Sequence, residues 1–197
     1  MINENILLEF GARKVHFKKG DTIFSEGDLP KYFYQVYTGE VKMNNFNDEG
    51  KEFIQGIFTA GDSFGEPPVF INKPYPANAV AFADTEIFLI STDSFLKLLH
   101  ANPEANLAIL TRLSQRLYYK SIMASEISSQ DAEHRIIKLI DYLKGLEGMK
   151  PGEKYKVSLT RQQIADLTGL RVETVIRSIK SLEKKGSLFI SDRKIYR

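Results

Sequence analysis

The sequence predicts an α+β chain with three parts: an N-terminal antiparallel β-barrel of jelly-roll type, a long dimerisation helix, and a C-terminal winged helix-turn-helix. Three observations predict it. Glycines cut the first part into short aromatic and β-branched runs, residues 104–128 contain neither Gly nor Pro, and a capping box with a following glycine frames two short helices near the end. A length of 197 residues gives each of two small domains enough chain to bury a core.

Seven of the 13 glycines (Gly20, Gly27, Gly39, Gly50, Gly56, Gly61 and Gly65) fall between residues 20 and 65. They separate Thr22–Phe24, Phe33–Tyr37, Glu40–Met43 and Phe53–Phe58, and the strand pattern continues through Ala79–Phe82 and Thr85–Ile90. Short β-rich runs at such spacing indicate a small barrel or sandwich, so residues 13–92 are expected to be all-β. Tyr32, Phe33, Tyr34 and Phe70 either line an apolar pocket or fill the core.

The period then changes. Ser94–Leu99 reads as a short amphipathic helix ending near Asn102-Pro103. Leu107, Leu110, Leu113, Leu117, Ser121 and Ala124 follow at steps that approximate a heptad seam. The stripe either packs on its own barrel or pairs with the same helix of a second chain, and the length of the helix favours pairing. Ile127–Asp131 reads as a hinge, with Asp131 placed to cap a helix over 132–144. A Gly- and Pro-containing loop and a short strand at Tyr155–Leu159 come next. The expected domains are residues 1–103 for the barrel with flanking helices, 104–130 for the dimerisation helix and hinge, and 131–197 for the winged helix-turn-helix.

In that last domain, Thr160 and Gln163 form a capping box, so a helix begins at Arg161. Gly169 suits the left-handed turn that ends it, and a second helix runs from about Val172 to Lys184. Ile164, Ala165, Leu167, Leu170, Val175, Ile179 and Leu182 can share one core, which matches a DNA-binding helix-turn-helix. Arg171, Glu173, Thr174, Arg177 and Lys180 lie at the start and along one side of the second helix. Arginine can grip guanine O6 and N7, and a carboxylate can accept from the cytosine amine. Thr160, Arg161 and Gln162 stand at a helix N-terminus, where backbone N–H groups favour phosphate. Ser187–Ile190 and Lys194–Tyr196 form a hairpin, the wing.

Charge follows the same division. Residues 1–130 carry 12 Lys/Arg against 16 Asp/Glu, and residues 131–197 carry 15 against 9. A basic tail behind an acidic front points to a polyanion partner for the tail, as against a merely solvated lysine-rich face. No apolar run approaches bilayer length, and Met1–Asn5 lacks the features of a signal peptide, so a cytoplasmic chain is expected. The absence of cysteine excludes disulfides, thiolate metal sites and cysteine-held iron–sulfur clusters. His16, His100 and His134 stand in no ligand-like cluster. With no metal, acid or base set assembled, the chain is not expected to be an enzyme.

Over nearly its whole length the sequence resembles the Crp/Fnr family of transcription regulators, above all in Thr160-Arg-Gln-Gln-Ile-Ala165 and Val172-Glu-Thr-Val-Ile-Arg177. The resemblance implies a homodimer on a pseudo-palindromic DNA site, with RNA polymerase as a further partner. It implies that Glu173 and Arg177 read base edges, with Val172 and Ile176 beside them. Thr160, Arg161, Gln162 and Thr174 would hold phosphates, together with Arg171 and Lys180. Val172 is the residue of the Fnr branch at its position, which implies TTG half-sites, whereas Ile176 replaces that branch's serine and Arg171 replaces a capping Ser or Thr. The barrel resembles a cyclic-nucleotide-binding domain, and Phe64-Gly65-Glu66 matches the start of its phosphate cassette. Pro76 and Ala77 stand where that family has the Arg-Ser pair for the cyclic phosphate, and neither has a side-chain donor. Binding of cyclic AMP or GMP is therefore not expected, and Gly65 and Glu66 are read as kept for the turn. The sequence names no effector.

Overall fold

Eleven of the glycines hold positive φ, and at Gly39 (φ 86°) the fold depends on it, because a Cβ there would approach Thr85 Cα to 2.7 Å. The computed structural model describes all residues except Met1, Lys51, Gln130 and Pro151, with backbone alone at Met123 and 125–129. The chain forms two units, Met1–Leu113 and Ser114–Arg197.

The first unit begins with α1 (Glu4–Glu9), capped by Asn3, whose side chain accepts from the Asn5 N–H. Eight strands follow: β1 (Arg13–Phe17), β2 (Thr22–Phe24), β3 (Tyr32–Thr38), β4 (Glu40–Phe46), β5 (Glu52–Thr59), β6 (Ser63–Phe64), β7 (Asn78–Ala81) and β8 (Thr85–Ser91). They pair in two four-stranded sheets, β1-β8-β3-β6 and β2-β7-β4-β5. The antiparallel jelly-roll reading holds, but the expected closure does not. The sheets stack as a sandwich, and the three-residue β2 and two-residue β6 end the ladders at its edges. Nor is the stretch entirely β, since α2 (Glu66–Ile71) interrupts it. Pro67 and Pro68 sit in the first helical turn, where the missing N–H groups cost nothing.

β3 and β8 are buried on both faces, which accounts for their near-continuous apolar runs. Tyr34, Val36, Ile87 and Leu89 point into the sandwich with Phe24, Val41, Met43, Phe64 and Tyr75. Phe33, Phe88 and Ile90 point the other way, into a second core with Leu7 of α1 and Phe95, Leu98 and Leu99 of α3 (Thr92–Ala101). Gln35 lies buried among them, donating to the Ile2 carbonyl at 2.9 Å and accepting from its N–H at 3.2 Å.

The long helix α4 (Pro103–Ser129) takes its turn-by-turn burial from the sequence. Ala105 and Ile109 are buried in the α1/α3 core, and Leu113 packs against it. Arg112 ties the same side to Asp62, at 2.7 Å. Leu107, Leu110 and Leu117 are 67%, 57% and 67% exposed, and Ser114, Ser121 and Ala124 are exposed beside them. Leu113 thus leaves the expected stripe and Ser114 takes its place, because 107, 110, 114, 117, 121 and 124 follow the alternating three- and four-residue step. The alternative that Leu107 and Leu110 pack on their own sandwich is overturned by that exposure. The expected hinge at Ile127–Asp131 is shorter than the sequence suggested: α4 continues as helix through Ser129, Asp131 already caps the next helix, and Gln130 between them lies outside the described residues.

In the second unit, α5 (Ala132–Leu146) is capped by Asp131, whose carboxylate accepts from the His134 N–H at 3.1 Å and is held below its usual pKa by that bond. β9 (Lys156–Val157), α6 (Arg161–Thr168), α7 (Val172–Lys184), β10 (Phe189–Ser191) and β11 (Lys194–Tyr196) complete it, the strands pairing in the order β10-β11-β9. Among the described residues no helix is long and apolar enough to cross a membrane.

Gly39→Ala is expected to lower the unfolding free energy of the sandwich by at least about 1–3 kcal/mol, from left-handed strain alone. Urea denaturation followed by tyrosine fluorescence measures it.

Candidate nucleic-acid interface

Hydrogen bonds within the chain hold both ends of α6, and with them the turn that leads into α7. Thr160 Oγ1 accepts from the Gln163 N–H at 3.1 Å, and Gln163 Oε1 accepts from the Thr160 N–H at 2.7 Å, so the capping box is closed in both directions. Gly169 ends α6 at φ 68°, and the Leu170 N–H returns to the Ala165 carbonyl at 3.0 Å. Arg135, buried on α5, donates to the Thr168 carbonyl at 3.1 Å, a cation at the negative end of α6. Sequence reasoning missed this arginine. Its signal was a cation one residue ahead of Ile136, on the buried stripe of α5.

The core under the two helices comes from Ile136, Leu139, Ile140, Ile164, Ala165, Val175, Ile179 and Leu182, with Leu167 and Leu170 half-buried against it. Helical spacing then decides what α7 presents outward. Val175, Ser178, Ile179 and Leu182 face the core, and Glu173, Ile176, Arg177 and Lys180 are exposed. Val172 and Thr174 are half-buried at the first turn, and Val172 packs on the core. Arg171 is the exposed N-cap and makes no side-chain capping bond, as its replacement of Ser or Thr led one to expect.

Of the residues expected to hold phosphates at α6, Thr160 is exposed and engaged in its cap. Gln162 is exposed and donates to Asp166 at 2.8 Å. Arg161 donates through one guanidinium nitrogen to the Arg193 carbonyl at 2.7 Å, fastening the turn between β10 and β11 to the start of α6. That turn is formed by Asp192 and Arg193, both left-handed at φ 48° and 62°, with Arg193 and Lys194 exposed. The wing turn was legible in the sequence, but its attachment to Arg161 was not, because it joins residues far apart in the chain. At the far end of α7, Lys185 pairs with Glu133 at 2.6 Å and holds that carboxyl below its ordinary pKa. The outward face of α7 can therefore offer a guanidinium, a carboxylate and an aliphatic group to base edges, flanked by cations for phosphates.

The sandwich interior is placed quite differently. Gly65, left-handed at φ 72°, lies so close to the Phe24 and Tyr75 rings that a Cβ would meet them at 3.1 and 3.2 Å. Those rings stack at 3.7 Å between centroids and 13° between planes, with Tyr34 5.4 Å from Phe24. Tyr75 is 2% exposed, and burial raises its phenol pKa and pushes that of Tyr34 up to about 12. Glu66 is buried and accepts from the Ser63 hydroxyl. Ala77 is buried, and Pro76 is exposed with its carbonyl held by Asn45 at 2.7 Å. Of the expected aromatics, Phe33 and Tyr34 are core, Tyr32 is half-buried and Phe70 is exposed. Among the described residues no group of His and carboxylates could hold a metal ion.

Two family models match the chain, a cyclic nucleotide-binding domain over residues 14–102 and a Crp-like helix-turn-helix domain over residues 134–196. The cAMP-activated global transcriptional regulator CRP of Haemophilus influenzae is 32% identical over 167 residues, 84% of this chain and 75% of that protein. The fumarate and nitrate reduction regulatory protein of Yersinia pestis is 28% identical over 186 residues, 93% of this chain and 74% of that one. The structure of FixK2 from Bradyrhizobium japonicum superposes with a TM-score of 0.72 at 23% identity, over 93% of this chain and 91% of that chain, and shares the fold.

Thr160→Ala removes one half of the capping box and is expected to cost about 1 kcal/mol of stability in the second unit. Thermal unfolding followed by circular dichroism checks it.

Proposed function

Since the chain belongs to the Crp/Fnr family and is a DNA-binding transcription regulator of that type, we propose that it acts as a homodimer. Its two α7 helices would enter successive major grooves of a pseudo-palindromic site. One observation carries the reading: the exposed face of α7 gathers Glu173, Arg177 and Lys180 on a helix whose opposite face is fully used by the core. Arg177 grips a guanine and Glu173 accepts from a cytosine amine, as their chemistry allows. Thr160, Gln162, Arg171, Thr174 and Lys180 hold phosphates, with Arg161 using the donors left free by its bond to the wing. Val172, half-buried, shapes the first turn against the base edges and fits TTG-containing half-sites.

Pairing runs along the exposed stripe of α4. Leu107, Leu110 and Leu117 with Ser114, Ser121 and Ala124 recur at heptad spacing, and large exposed leucines at that spacing find cover in a parallel copy. Leu113, which packs on its own core, contributes at the margin.

Cyclic AMP and GMP are not effectors of this chain. Pro76 and Ala77 offer no side-chain donor to a phosphate, and Ala77 is itself buried in the core that holds the stacked Phe24 and Tyr75 rings. DNA binding accordingly needs no cyclic nucleotide. Neither His16, His100 nor His134 belongs to a metal or haem set, and the chain is read as non-catalytic. RNA polymerase is the partner through which such a regulator, in the cytoplasm, would act.

Selection from a random DNA pool with the purified chain and no added ligand is expected to recover an inverted repeat with TTG-containing half-sites. Addition of cyclic AMP should leave the outcome unchanged. Arg177→Ala should cost about 1–3 kcal/mol on that site and relax selectivity at one guanine; a loss equal on all sequences would make it a phosphate contact. Leu110→Glu with Leu117→Glu, both at exposed positions, should give folded monomers in sedimentation that bind the site weakly. A double variant that still sediments as a dimer moves the interface elsewhere.

A further inference from the structure

Ile176 is out of keeping with its surroundings. Among the described residues of α6 and α7 it is the only large apolar side chain that is exposed, at 42%. Every other large apolar side chain of the two helices is buried or half-buried on the core side. A β-branched residue is also a weaker helix former than the Lys, Arg, Glu or Gln that an exposed position tolerates. Neither the core nor helix stability accounts for it.

Its position is specific. With about 100° of rotation per residue, Ile176 and its neighbour Arg177 flank the line through Glu173 and Lys180, one on each side. A helix laid in the major groove along that line turns Arg177 and Ile176 toward different base pairs. The major groove offers one apolar feature for an aliphatic group to cover, the thymine C5-methyl. We infer that Ile176 is a specificity-determining residue that selects thymine at one position of each half-site by packing on its methyl group. This rests on the reading of α7 as the base-reading helix and adds the base class that its one exposed aliphatic residue recognises.

The contact is sensitive to a single atom. Deoxyuridine differs from thymidine only in lacking that methyl, with pairing and the O4 acceptor unchanged. Burying one methyl group contributes about fourfold in affinity. In the test, the operator recovered by selection is prepared with each thymine of the half-sites replaced singly by deoxyuridine. Binding of the full chain and of its Ile176→Ala variant is then measured on every duplex.

At one thymine position the replacement is expected to weaken the unaltered chain about fourfold, and to leave the Ile176→Ala variant unaffected, since its contact is already gone. Ile176→Val should retain part of the methyl dependence. A chain indifferent to deoxyuridine at every position overturns the inference, as does a methyl dependence that persists in Ile176→Ala. A uniform loss in Ile176→Ala on thymine and deoxyuridine alike overturns it too, because the side chain then touches backbone or protein. In those three cases specific binding to the unsubstituted operator survives. Failure to recover any operator instead overturns the DNA reading itself.

Discussion

Between Thr168 and Val172 the chain must end one helix, reverse and begin another, and everything the second unit presents to a partner depends on how it does so. Gly169 takes the left-handed conformation that lets α6 stop without a strained Cβ. The carbonyl freed at Thr168 would be costly if left bare in a buried place, and the Arg135 guanidinium takes it. These two devices set the pose of α7 against α5, and from that pose follows the assignment of every α7 residue to core or surface. A helix turned by a single residue would bury Arg177 and expose Ile179.

Much of this was legible in the sequence because it is local. The Thr160–Gln163 box, the glycine after α6, the apolar spacing of Val175, Ile179 and Leu182, and the hairpin around Asp192-Arg193 each declare themselves within a few residues. The exposed side of α7 follows from the buried side, so Glu173, Arg177 and Lys180 could be named without coordinates. What escaped were contacts between distant segments: Arg135 with Thr168, Arg161 with the wing, Asn45 with Pro76. Long-range pairing of polar groups leaves no periodicity to read.

In the first unit the failures have different causes. β3 and β8 are buried on both faces, so their patterns gave strands but no facing direction, and the open sandwich was read as a barrel. α2 hid behind Pro67-Pro68, residues that break a helix interior yet suit its first turn. Leu113 joined the wrong stripe on α4 because a step of three from Leu110 is as helical as a step of four. Only burial distinguishes the two sets, with Ala105 and Ile109 turned inward and Leu107 and Leu117 outward.

The wing turn leaves one position under opposed demands. Asp192 and Arg193 both hold left-handed backbone without being glycine, and a side chain in that region costs about 1–2 kcal/mol per residue relative to one that avoids it. Glycine at 193 would relax the hairpin and at the same time remove a cation from its tip. Among chains of this kind, drift at that site would therefore carry stability and polyanion affinity in opposite directions, and the residue found there would record which of the two the lineage had more need of.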